Sequence, residues 1–74
     1  MNIAYILVNV DPGNEDDVLK SLRKINGVVE SHRIYGVYDT IVKVERESQE
    51  AVKSTVMEIR GLDHIRSTLT LTVV

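Results

Sequence analysis

Two short stretches of this chain carry side chains suited to holding a small polar molecule: Gly36-Val37-Tyr38-Asp39 and Ser67-Thr68-Leu69-Thr70. A carboxylate beside a glycine turn can receive an ammonium group through a charge-assisted hydrogen bond, while amides exposed at the same turn take a carboxylate. The hydroxyls of Ser67, Thr68 and Thr70 each offer one donor and two acceptor lone pairs. Plainer readings stand beside these. A hairpin glycine often serves backbone geometry alone, and threonine is a good strand former without any ligand. Asp39 is harder to explain that way, because it opens an otherwise apolar strand and strands disfavour aspartate.

Most other chemistries lack their residues. Without cysteine there is no disulfide, no thiolate metal site and no thiol nucleophile. The first loop reads Asp11-Pro12-Gly13-Asn14, without the cysteine pair of a heavy-metal carrier. No glycine-rich phosphate cradle occurs. A reader of single-stranded RNA on a sheet needs aromatic platforms on central strands; Tyr5 offers one, whereas the third strand presents Ile41 and Lys43. His32 and His64 are the near-neutral proton carriers. Neither has a partner group legible in sequence, so a surface or interface histidine is the simpler reading of each. No cofactor or metal is called for, and no catalytic residue is assigned.

The net charge is −2, with nine basic residues scattered along 74. A nucleic-acid binder would concentrate them in a stripe. No apolar run is long enough to span a bilayer, and no basic segment precedes the first one. The expectation is a soluble, cytoplasmic protein without direct nucleic-acid or membrane contact.

The elements that would position these residues follow from periodicity. Ile3 to Val10 is a strand-length apolar run stopped by Asp11-Pro12-Gly13. Asn14 then stands as a helix N-cap, followed by Glu15, Asp16 and Asp17 at the positive end of the dipole. Val18, Leu19, Leu22 and Ile25 make the apolar stripe, and Asn26-Gly27 closes the helix. Val28 to Tyr35 and Tyr38 to Glu45 read as two strands joined by a hairpin at Gly36-Val37. Ser48 caps a second helix with Val52, Val56 and Ile59 inward, ending at Gly61. Arg66 to Val74 is the final strand.

An internal echo supports this order. A shift of 34 positions lays Asn14 on Ser48, Val18 on Val52, Leu22 on Val56, Ile25 on Ile59 and Gly27 on Gly61. Two βαβ halves joined by a hairpin give the α+β, ferredoxin-like βαββαβ arrangement over residues 1–74 as a single domain. Crossover handedness puts both helices on one face of a four-stranded antiparallel sheet.

The other face then needs cover. Ala4, Ile6 and Val8 point one way, but Ile3, Tyr5 and Leu7 point the other, so strand one is apolar on both sides. Exposed, the second set would make a contiguous patch of roughly a few hundred Å², which monomers avoid. Such a small domain buries only about 60% of its unfolded surface and gains from a partner. Ile3, Tyr5 and Leu7 are therefore expected at the interface of a dimeric α+β barrel, sheet against sheet.

The stretch INGVVESHRIYGVYDTIVKVE resembles the core of the effector-binding (RAM) domain of the Lrp/AsnC, or feast/famine, transcription regulators. The shared features are the G-V-V-E strand start, the G-x-Y-D hairpin and the apolar strand after it. The terminal IRSTLTLTVV is similar to that family's last strand, with its S-T-x-T pattern. The resemblance implies an amino-acid-sensing module that dimerises through its sheet and assembles dimers into rings, such as an octamer, with effector pockets between dimers. It places Gly36, Tyr38 and Asp39, with Ser67, Thr68 and Thr70, around the pocket. Val37 stands where that family commonly has a polar residue. Family regulators carry an N-terminal DNA-binding helix-turn-helix, and this chain starts at the first strand. The resemblance thus implies a stand-alone form that binds a small effector, with full-length regulators as possible assembly partners. The competing readings are a small dimeric α+β-barrel enzyme and a purely structural assembly partner.

Overall fold

Alternation along the first strand sets the layers. In the computed structural model, which describes all 74 residues, Ala4, Ile6, Val8 and Val10 are buried on one side of β1 (Asn2–Val10). α1 (Glu15–Arg23), β2 (Val28–Arg33), β3 (Thr40–Arg46), α2 (Gln49–Arg60) and β4 (Ile65–Thr72) follow in the expected βαββαβ order. The sheet runs β2-β3-β1-β4, antiparallel at every pairing. Val18, Leu22, Val52, Val56 and Ile59 of the two helices join Ala4, Ile6, Val8, Val42 and Val44 in one core cluster, so both helices cover the same face.

The helix starts follow local chemistry, with one difference. Ser48 accepts the Ala51 amide at 3.1 Å, a true side-chain cap. Asn14 occupies the N-cap position of α1 but makes no cap bond. Instead the Gly13 amide donates to Glu15 Oε1 at 3.0 Å, and the three acidic residues of the first turn face the helix dipole.

The helix ends depart from the 34-residue echo. α1 has nine residues and α2 has twelve, so the halves start in register at 34 but finish at 37. The structural counterpart of Gly27 (φ +100°) is His64 (φ +70°), not Gly61, whose φ is −85°. Ile25 lies beyond α1 yet stays buried. Left-handed backbone is natural for glycine and tolerated by histidine, which explains how His64 serves the same turn before β4.

The connection between β2 and β3 is also longer than the two residues expected. Arg33 pairs with Thr40, which leaves residues 34–39 outside the strands. The Ile34 amide donates to the Asp39 carbonyl at 2.9 Å and closes this loop at its base. Tyr35 is fully exposed and Val37 nearly so. Tyr38 and Asp39 are therefore loop residues, and β3 starts at Thr40.

Candidate functional site

Asp39 is the loop residue most firmly anchored. Its amide donates to the Val8 carbonyl at 3.0 Å, and its Oδ2 accepts the Val10 amide at 2.9 Å. Val10 is buried, so the carboxylate satisfies a main-chain donor at the end of β1. Oδ1 accepts no hydrogen bond from the chain. The amides of Tyr35, Gly36, Val37 and Tyr38 likewise have no partner within the chain. One carboxylate oxygen and a run of loop amides are thus open to a ligand.

Asp39 lines an open cleft of about 560 Å³ at the end of the sheet where β1 finishes and β4 begins. Val37, Asn9, Ser67, Arg66 and Glu15 line it with Asp39, and Pro12 and Val10 add apolar surface. Asn9 Nδ2 donates to Ser67 Oγ at 3.2 Å, which leaves the serine proton free to donate outward. The cleft gathers two carboxylates, Asp39 and Glu15, one guanidinium and two small polar side chains. That is a surface for a small dipolar molecule.

The residues expected at a site separate into two groups. Asp39 and Ser67 come together in the cleft; Gly36 and Tyr38 sit in its loop without lining it. Thr68 and Thr70 pair with Val8 and Ile6, so they follow the helix-covered side of β4. Neither threonine lines the cleft. Thr68 borders a smaller depression that it shares with Ser67, Arg60 and Arg66. Asn9, Glu15 and Arg66 join the cleft without any sequence signal for a site: Glu15 reads as a helix-start charge, and Asn9 and Arg66 lie in no motif.

The two histidines are placed apart from this cleft. His32 Nε2 lies 3.3 Å from Glu30 Oε1 on β2. His64 Nδ1 lies 3.6 Å from Asp11 Oδ2 in the turn before β4, both about half exposed. No group of three His, Cys, Asp or Glu side chains is gathered as a metal site, and no helix is long and apolar enough to cross a membrane. The one resolved pKa shift lies elsewhere: the Arg46 guanidinium bonded to Glu47 holds that carboxyl below its ordinary value.

The helix-free face is apolar over its β1–β4 half. Ile3, Tyr5 and Leu7 are partly buried there, flanked by Leu69 and Leu71 across β4 and by Ile41 across β3. Val73 continues the row, its amide donating to the Ile3 carbonyl at 3.0 Å. Leu69, Leu71 and Val73 remain 43%, 48% and 50% exposed. On the β2–β3 side the same face turns charged: Lys43 Nζ lies 3.8 Å from Glu30 and 3.6 Å from Glu45. The face is thus apolar towards the β4 edge and charged towards β2.

Comparison with known proteins agrees with this architecture. The Lrp/AsnC ligand binding domain model matches residues 3–74. An uncharacterized HTH-type transcriptional regulator of Pyrococcus furiosus is 31% identical over 72 residues, covering 92% of this chain and 48% of that protein. The chain spans about half the length of the curated relatives it matches. Among solved structures, a hypothetical protein from Pyrococcus horikoshii superposes with a TM-score of 0.92 at 33% identity, covering 100% of this chain and 90% of the other. A transcriptional regulator of Neisseria meningitidis, solved as an L-Met complex, shares the fold with a TM-score of 0.86 at 17% identity, over 99% of this chain and 49% of that one.

Proposed function

Since the chain belongs to the Lrp/AsnC ligand-binding domain family, we propose that it is a regulatory module that binds an amino acid and works as a homo-oligomer. The observation that carries this reading is the cleft at the end of the sheet, where the free oxygen of Asp39 and the unpartnered amide of Val37 offer complementary sites for an ammonium and a carboxylate. The fold it shares with the Neisseria regulator, which was solved with L-Met, is compatible with such a ligand.

Assembly is the second part of the proposal. The apolar half of the helix-free face, centred on Ile3, Tyr5 and Leu7, packs against its copy across a two-fold axis, and dimers associate further into a ring. Each cleft is open, so a neighbouring protomer completes its enclosure. Full-length regulators of the same family, in the same cytoplasm, are the natural partners for mixed assembly. A binding role is preferred to catalysis because the family is one of ligand-binding domains.

A thermal-shift screen against the twenty amino acids tests the ligand class. A ligand present at about 100 times its dissociation constant adds about 2.7 kcal/mol to stability. For so small a domain that raises the midpoint by several degrees. A screen in which no amino acid moves the midpoint, confirmed by calorimetric titration, would remove amino-acid sensing from the reading.

A further inference from the structure

Arg66 sits at an irregularity in the sheet. Val10 pairs with Ile65 and Asn9 pairs with Ser67, so β4 advances two residues while β1 advances one. Arg66 is the extra residue of this β-bulge. Arg66 and Ser67 both line the cleft at this end of the sheet, as do Asn9 and Val10 of β1.

The guanidinium is available. Its nearest acid is Asp11, with Nε 3.7 Å from Oδ1, beyond hydrogen-bond distance, and the two side chains are 63% and 47% exposed. An ion pair that open contributes little. Arg66 is also the only cation lining the cleft, whose other charges, Asp39 and Glu15, are acidic. A planar guanidinium matches a carboxylate with two parallel hydrogen bonds.

From this geometry we infer that Arg66 anchors the α-carboxylate of a zwitterionic amino acid whose ammonium group meets Asp39. The inference rests on the proposed amino-acid binding and adds to it a residue that sets ligand charge. With Arg66 present, the cleft sets a cation against the acids Asp39 and Glu15, a charge distribution that suits a zwitterion better than a plain amine. The apolar surface of Val37 and Pro12 then meets an uncharged side chain.

The experiment is a calorimetric cycle on the full chain. Its probes are the amino acid that binds wild type most tightly among the twenty and the α-carboxamide of that amino acid. Wild type is expected to prefer the acid by roughly 10- to 100-fold, the range of one charge-assisted pair. Arg66→Ala and Arg66→Gln should both lose that preference while binding the carboxamide as wild type does. Because Arg66 is largely exposed, both variants should keep the wild-type melting midpoint by circular dichroism. Should the preference for the acid survive both substitutions, the carboxylate is held without Arg66, and the inference about Arg66 is wrong while amino-acid binding stands. Failure of every amino acid to bind wild type overturns both.

Discussion

Replacing Leu71 with aspartate separates the proposed assembly from the fold of one protomer. Leu71 lies on the edge strand β4, opposite Tyr5 on the helix-free face, and is 48% exposed in the single chain. A change there disturbs little of the protomer's own core, so its cost to the isolated subunit is about 1 kcal/mol or less. In a sheet-to-sheet dimer the same side chain lies inside the contact. Burying half of a large aliphatic side chain gains roughly 0.7–1.5 kcal/mol. Leu69, Leu71 and Val73 from two copies therefore contribute about 4–9 kcal/mol, with Ile3, Tyr5, Leu7 and Ile41 adding to it. Leu71→Asp removes one such contribution from each copy and forces two carboxylates out of water without partners. A combined loss of about 4 kcal/mol or more weakens the dimer by about three powers of ten. Light scattering at micromolar concentration should give a dimer or larger assembly for wild type and a monomer for the variant. Circular dichroism should show a melting midpoint that rises with concentration for wild type only. A wild-type monomer at micromolar concentration, or a variant that keeps the wild-type mass, would show that the sheet face is not what joins the copies.

Asp39→Ala should lower amino-acid affinity and also destabilise the fold by about 1–3 kcal/mol, since it leaves the buried Val10 amide without its acceptor. Asp39→Asn keeps an acceptor oxygen there, so chemical denaturation should show a smaller loss while calorimetry shows the same loss of ammonium binding. Gly27→Ala should cost more than about 1 kcal/mol in a thermal melt, because φ is +100° and the new Cβ would stand 2.5 Å from Arg46 Cδ and 3.1 Å from Thr55 Oγ1. His64→Gly should melt at or slightly above the wild-type temperature, because glycine accepts φ +70° more readily than histidine and the Asp11 contact it removes is half exposed. A clear drop in the midpoint would mean that the Asp11–His64 pair outweighs the backbone strain.

The sequence made the layers readable because burial acts on every second residue of a strand. Ala4, Ile6 and Val8 lie under the helices, and Val42 and Val44 join them from β3, as the alternation required. Ile3, Tyr5 and Leu7 were legible as a second apolar row for the same reason. Segment ends were less so. Gly27 and Gly61 looked equivalent by spacing, but a helix longer by three residues moves the turn to His64, and nothing local distinguishes a glycine that continues right-handed from one that does not. The loop at residues 34–39 looked like strand because Ile34, Tyr35, Val37 and Tyr38 are strand formers. Long-range bonds from Asp39 to Val8 and Val10 decide its shape, and those partners lie 29 or more residues away.

The candidate site divides along the same physical line. Asp39 stands out in sequence as an acid at the head of an apolar strand, but the structure makes it a loop residue, where aspartate is ordinary. What puts its carboxylate at the end of β1 and in the cleft is its bond to the distant Val10 amide. Ser67, Thr68 and Thr70 were grouped by adjacency in the chain, yet adjacency in a strand means opposite faces. Ser67 stays with the cleft and the two threonines leave it. Arg66 was illegible for another reason. It reaches the cleft from the register shift between β1 and β4, beside Asn9 and Asp39, and no window of residues around Arg66 reveals those neighbours. The charge of the cleft, acidic without Arg66 and dipolar with it, thus depends on a residue more than fifty positions along the chain from the β1 residues it faces.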